Sequence, residues 1–188
     1  MLKFINQQYN RICWFIKYKL AKKNAINSSL TVIRSSQAKN VLVMCYGNIY
    51  RSPFVEAYLK SRLSDDYNIK SAGFFKKSGR TVAQDYIELT KEFGVDLSTH
   101  LSNCVYAAQF NWADHILIMD GKNYKLAMQI NSDIKKKLVW LGALDSFTDI
   151  EIDDPYAKSE NEQLNIVKRL VNSSDSYISL VNASEEAA

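Results

Sequence analysis

The residues able to do chemistry are concentrated in one stretch, Val41-Leu42-Val43-Met44-Cys45-Tyr46-Gly47-Asn48-Ile49-Tyr50-Arg51-Ser52-Pro53. A run of aliphatic residues ends at Cys45, five residues intervene, and Arg51 follows, so the pattern predicts a buried strand, a tight loop and the start of a helix. Ser52-Pro53 predicts an N-cap followed by a proline at the first helical position. Backbone N–H groups at a helix start and in a glycine-containing loop converge on a place suited to an anion. Arg51 adds a forked, permanently charged donor that matches two oxygens of a phosphate or sulfate. At such a place a cysteine is favoured as its thiolate, the nucleophilic form. A cysteine can equally be an inert, buried small hydrophobe. The ordered combination of cysteine, glycine, asparagine, arginine, serine and proline across a strand-to-helix junction argues for the nucleophile.

A thiolate that displaces an alcohol or phenol from a phosphate ester needs the leaving oxygen protonated. Asp153-Asp154-Pro155-Tyr156 offers the acid, because proline stiffens the turn and fixes the direction of the adjacent carboxyl group. Taken alone, Asp-Pro is an ordinary turn. Coupled to Cys45 and Arg51, it makes Asp154 the candidate general acid.

The elements that must position these groups follow from periodicity. Pro53 to Leu63 carries Phe54, Val55, Tyr58, Leu59 and Leu63 at helical spacing; Tyr67 to Ser71 predicts a short strand, and Val82 to Phe93 a helix closed by Gly94. A further helix is expected near Ser102, with Cys104 in its core. Ile116 to Asp120 predicts a third strand, Tyr124 to Ile130 a helix, Leu138 to Leu141 a fourth strand, and Ser159 to about Val181 a final helix. Helices alternating with short hydrophobic strands imply an α/β fold, a three-layer sandwich with a central parallel sheet of about four strands and helices on both faces. Ligands bind such sheets at the carboxyl ends of the strands, where Cys45 lies. Phe74 and Phe75 are readable as the mouth of a pocket or as core contacts. His100 is readable as a hydrogen-bonding support of the site or as a structural histidine, and His115 as structural.

The chain has 188 residues, of which 47% are apolar and 12% aromatic, with a net charge of +4. Its first 39 residues hold eight basic residues and no acidic one, whereas the remaining 16 basic and 20 acidic residues leave the rest mildly acidic. Residues 1–23 mix Leu2, Phe4, Ile5, Ile12, Trp14, Phe15, Ile16 and Leu20 with lysines. The stretch is too interrupted to span a bilayer and lacks a secretory cleavage pattern. Two readings remain for it: an interfacial helix making peripheral membrane contact on anionic lipid, or a helix or arm packed elsewhere. Residues 24–40 predict a linker with a short extended piece at Leu30 to Ile33. Three scattered cysteines and two histidines predict neither a disulfide framework nor a metal site, and suit a reducing, cytoplasmic compartment. No nucleic-acid module is visible.

The order Cys45 to Pro53, Ser71-Ala72-Gly73, Gly94-Val95-Asp96-Leu97-Ser98 with His100, Ile116 to Asp120 and Asp154-Pro155-Tyr156 resembles the low-molecular-weight protein tyrosine phosphatases in their bacterial form. The likeness runs from about residue 40 to about residue 181. It implies a basic extension and linker over 1–39, a phosphatase domain over 40–182 and a tail over 183–188. It further implies Cys45 as nucleophile, Arg51 as phosphate ligand and Asp154 as general acid, with no cofactor and no metal. Tyr46, Gly47, Asn48, Ile49, Tyr50 and Ser52 would form the phosphate-binding loop, Ser71 would support it, and Tyr46, Phe74 and Tyr156 would wall the substrate pocket. The implied substrate is a phosphotyrosine protein, with a tyrosine kinase of polysaccharide export as a candidate partner. Arsenate reduction, arginine-phosphate hydrolysis and idle phosphate binding by an adaptor are the alternatives. One departure stands out: the family usually has a second cysteine before the arginine, where this chain has Tyr50.

Overall fold

In a computed structural model of the chain, residues 19–147 and 149–186 are described. The sheet is parallel throughout, with four strands, β1 (Asn40–Cys45), β2 (Asn68–Gly73), β3 (His115–Ile118) and β4 (Leu138–Trp140), in the order β2-β1-β3-β4. The chain leaves β1 toward β2 on one side and later returns to β3 on the other. Such a reversal of winding opens a crevice at the carboxyl end of the central strand, and β1 ends at Cys45.

Both faces of the sheet are covered, so β1 is apolar at every position from Val41 to Cys45 and alternation sorts its side chains between two cores. Val41, Val43 and Cys45 pack with α2 (Arg51–Lys60), α3 (Gln84–Lys91) and α6 (Glu160–Glu186) through Phe54, Leu59, Tyr86, Val167 and Leu170. Leu42 and Met44 pack against α4 (Ala107–Trp112) and α5 (Gly121–Ile130) through Phe110 and Ala127. This is the three-layer arrangement expected from the sequence.

Several boundaries differ from expectation. Residues 24–34 are not a linker and Leu30 to Ile33 is not extended: a helix, α1, covers residues 19–34. Ser28, Ser29 and Thr31 hydrogen-bond back to carbonyls three or four residues earlier, which absorbs their polarity inside the helix. Ala25, Val32 and Ile33 are buried, and the Trp140 N–H donates to Ser29 Oγ at 3.0 Å. The end of the basic extension is thereby docked on the domain. The interfacial-helix reading falls mainly on residues 1–18, outside the described residues. The expected tail from 183 is helical through Glu186. No helix starts near Ser102; Cys104 instead forms a bridge beside Gly73 and is half-buried, and the helix begins at Ala107. Among the described residues no helix is long and apolar enough to cross a membrane.

His115 joins three elements. It is fully buried, with Nδ1 2.8 Å from the Tyr177 hydroxyl of α6 and Nε2 2.6 Å from Ser36 Oγ after α1. Burial pushes its pKa down to about 4 from 6.5, against the weaker opposing effects of the Val32 carbonyl and Asp114. The folded chain therefore resists a proton that the unfolded chain accepts as pH falls below 6.5. The contribution is complete above 6.5 and is lost on the way down to about 4. Urea unfolding should show about 2 kcal/mol of stability lost through this group by about pH 5, and His115→Gln should flatten that part of the profile.

Candidate active site

The loop after β1 is built around Asn48, which is fully buried and holds a left-handed backbone, φ 51°. That conformation is uncommon for a residue with a side chain, and asparagine tolerates it best. Every polar group of Asn48 is engaged. Its N–H donates to Cys45 Sγ at 3.2 Å, its carbonyl accepts from His100 Nε2 at 2.9 Å, and its side-chain Oδ1 accepts from the Asn103 N–H at 2.7 Å. Its Nδ2 donates to Ser52 Oγ at 3.0 Å and to Ser71 Oγ at 2.8 Å. Because Ser52 Oγ already accepts from Asn48, its own proton is free for Cys45 Sγ, 3.0 Å away. The sulfur thus faces two hydrogen-bond donors. His100 is therefore a support of the loop, with the proton on Nε2 because a carbonyl can only accept.

Gly73 permits the close approach behind this loop. A side chain there would lie 2.9 Å from Asn48 N and from the Tyr46 carbonyl oxygen.

Helix α2 begins two residues earlier than expected, at Arg51, and Ser52 does not cap it. Pro53 is then the third helical residue, where its missing N–H is still one of those a helix leaves unpaired. Starting the helix at Arg51 buries that residue, which is 1% exposed. Its Nη1 donates to Asp120 Oδ2 at 2.7 Å and to the Ile152 carbonyl at 2.8 Å, and its Nη2 donates to Asp154 Oδ2 at 2.6 Å. Burial works to lower the guanidinium pKa, but Cys45, Asp154 and Asp120 outweigh it and hold the pKa above the ordinary value. Asp120 was visible in the sequence only as the residue closing a strand. It also caps α5, with Oδ1 accepting from the Asn123 N–H at 2.7 Å.

Of the two neighbouring aspartates, Asp154 turns to Arg51. Asp153 is more exposed and lies 3.6 Å from the Lys158 ammonium. The segment before them is tied to α6 by Arg169. Its Nε donates to Asp145 Oδ2 at 3.1 Å, and its Nη atoms reach the carbonyls of Gly142, Asp149 and Glu151. Nothing in the sequence pattern linked Arg169 to that segment, because the contacts span 18 to 27 residues, part irregular chain and part α6.

Cys45, Arg51 and Asp154 meet in a cavity of about 470 Å³, whose other walls are Tyr46, Gly47, Ile49, Tyr50, Phe75, Arg80, Lys122 and Tyr156. Tyr46 and Tyr156, two of the three residues read as pocket walls, line it. Phe74 does not: past the end of β2 it packs into the core with Leu42 and Met44, and successive side chains alternate, so Phe75 faces the cavity in its place. Phe75 meets Tyr46 edge-on, with ring centroids 6.0 Å apart. Tyr50 meets the buried ring of Tyr86 at 4.7 Å, so an aromatic contact fills the position where the resemblance implied a second thiol. Among the described residues no group of histidine, cysteine and carboxylate side chains is arranged to hold a metal ion.

A buried arginine clamped by carboxylates beside a cysteine at a sheet's carboxyl edge invites comparison with known proteins. Residues 40–186 match the family model for low molecular weight phosphotyrosine protein phosphatase. A probable low molecular weight protein-tyrosine-phosphatase, EpsP, of Ralstonia nicotianae is 33% identical over 149 residues, covering 77% of this chain and 97% of that protein. A protein-arginine-phosphatase of Geobacillus stearothermophilus is 29% identical over 116 residues, covering 62% of this chain and 78% of its own. Among solved structures, the Erwinia amylovora tyrosine phosphatase AmsI superposes with a TM-score of 0.70 at 32% identity, covering 78% of this chain and 93% of that one. The chain belongs to the low molecular weight phosphotyrosine protein phosphatase family.

Proposed function

We propose that this chain hydrolyses phosphotyrosine in proteins by two displacements at phosphorus, with Cys45 as nucleophile, Arg51 as phosphate ligand and Asp154 as acid and then base. The observation that carries the reading is the set of donors around the Cys45 sulfur, in a cavity that also holds the Arg51 fork and the Asp154 carboxyl group. In the first step Sγ attacks phosphorus, the bond from phosphorus to the tyrosine oxygen breaks, and Asp154 gives that oxygen a proton. In the second, Asp154 takes a proton from water as the water oxygen attacks phosphorus. The S–P bond breaks, and thiolate and inorganic phosphate are released. Arg51 and the loop N–H groups stabilise charge on the three oxygens that neither enter nor leave.

The aromatic walls Tyr46, Phe75 and Tyr156 suit a flat ring and support phosphotyrosine over phosphoarginine. Arsenate reduction needs further thiols to carry the disulfide onward. Cys104, the other cysteine among the described residues, has its Sγ turned to the Phe75 carbonyl at 3.0 Å. The bacterial resemblance makes a tyrosine kinase of polysaccharide export the partner to test. It also supports a cytoplasmic location, with peripheral contact of residues 1–23 on anionic lipid supported by their lysines.

Wild-type protein should release the phenol from a chromogenic aryl phosphate without added metal, and Cys45→Ser should abolish turnover. Absence of wild-type turnover from acidic to neutral pH would reject the enzyme reading. Asp154→Ala should lower kcat by about 10²-fold or more for esters of poorly acidic phenols and far less for activated ones. Equal losses on both would reassign the acid. Co-sedimentation with vesicles containing anionic lipid should be stronger for the full chain than for a chain beginning at Lys19, which keeps α1 on the domain. Equal, negligible binding would remove the membrane contact.

A further inference from the structure

The cavity rim carries two cations that the chemistry above does not use. Lys122, in the first turn of α5, is exposed, with its ammonium 3.4 Å from the centroid of the Tyr46 ring. Arg80 places its guanidinium carbon 4.3 Å from the centroid of the Phe75 ring and donates through Nη2 to the Gly47 carbonyl. The two aromatic rings that wall one side of the cavity therefore each carry a positive charge. Attraction to the ring face fixes an otherwise mobile ammonium in place at modest cost. Lys76 and Lys77, on the chain between Phe75 and Arg80, are exposed as well. Among the described residues none of these four cations has a carboxylate within ion-pair distance.

The inner cavity is balanced differently. Arg51 is matched by Asp120 and Asp154, and the neighbouring Asp153 lies 3.6 Å from the Lys158 ammonium. Glu151 lies beside Gly121 at the start of α5, and burial raises its pKa, helped by the nearby charges of Asp120, Asp149 and Asp153. The uncompensated charge thus sits on the Tyr46 and Phe75 side, outside the place where the phosphate is held. A phosphotyrosine ring seated between these aromatics and Tyr156 would leave its neighbouring peptide residues to pass over that side.

We propose that this chain selects phosphotyrosine sites flanked by acidic residues, and that Lys122, with Lys76 and Lys77, reads the flanking carboxylates. This rests on the phosphotyrosine-phosphatase reading of the same cavity. Complementary charge at a rim mainly steers and orients a partner and is weakened by salt. Arg80 contributes charge too, but it also holds the Gly47 carbonyl, so its substitution would disturb the loop.

The test compares two phosphotyrosine peptides of equal length, one with glutamates around the phosphotyrosine and one with glutamines. Several exposed ion pairs, each weak alone, act together, so kcat/KM should favour the acidic peptide by about five- to tenfold at low salt, and the preference should shrink at high salt. Lys122→Ala combined with Lys76→Ala and Lys77→Ala should bring the ratio of the two kcat/KM values close to one. Equal kcat/KM for both peptides with wild type, or an undiminished ratio in the triple variant, would overturn the proposal. A fall in both rates by the same factor would do so too, since it would show that the lysines attract only the phosphate. Binding of the same peptides to Cys45→Ser, followed by fluorescence anisotropy, separates this inference from the hydrolytic one. Acid preference in binding without wild-type turnover would sustain the selectivity and reject the hydrolysis, whereas turnover without preference would do the reverse.

Discussion

The structure depends on keeping one guanidinium out of water. Arg51 is almost wholly buried, and an unpaired charge in that position would cost several kcal/mol. Its partners come from two separate places: Asp120 after β3, and the segment that holds the Ile152 carbonyl and, two residues further on, Asp154. A parallel sheet brings those places together because all its strands point their carboxyl ends the same way. The Ile152 N–H in turn donates to the Met119 carbonyl at 2.8 Å, so the segment that supplies Asp154 is tied to β3 directly. Removing any one partner leaves the charge less compensated, which binds the fold's stability to the geometry of the site.

The same economy of partners explains the loop. A left-handed Asn48 backbone is unfavourable in isolation and is held here by five hydrogen bonds, reaching Cys45, Ser52, Ser71, His100 and Asn103. Because those bonds exist before any ligand arrives, the donors around the sulfur need not reorganise when charge develops. That is the condition under which electrostatic stabilisation is most effective. Gly73 belongs to this account, since any side chain there would press on the Asn48 backbone.

Much of this was legible in the residues. Cys45, Arg51 and Asp154 could be singled out as candidates because a nucleophile, an oxyanion ligand and a proton donor are separable chemical demands, each offered by a recognisable residue in a recognisable local setting. The sheet could be named because strands buried on both faces lose their alternation, as β1 does. What was hidden depends on contacts between distant segments. Asp120 looked like the end of a strand, and only the folded sheet shows that it faces Arg51. Phe74 and Phe75 differ by one step of the pleat, and no local rule says which of them turns outward. The polar run at Asn27-Ser28-Ser29 resembled a linker because hydroxyls favour turns. In the helix those hydroxyls bond back to carbonyls, and only the buried faces of Ala25, Val32 and Ile33 explain why that form is chosen.

The distribution of charge separates chemistry from choice. Near the sulfur, positive and negative groups are matched closely, as low-dielectric surroundings demand, because an unmatched charge there is costly and a mismatched one would compete with the phosphate. At the rim, water screens each charge and relaxes that demand, so cations can stand without carboxylate partners on the faces of Tyr46 and Phe75. The inner residues are bound to one another by that matching. Lys122, Lys76 and Lys77 carry no such burden, so their charges can be set by what must dock there.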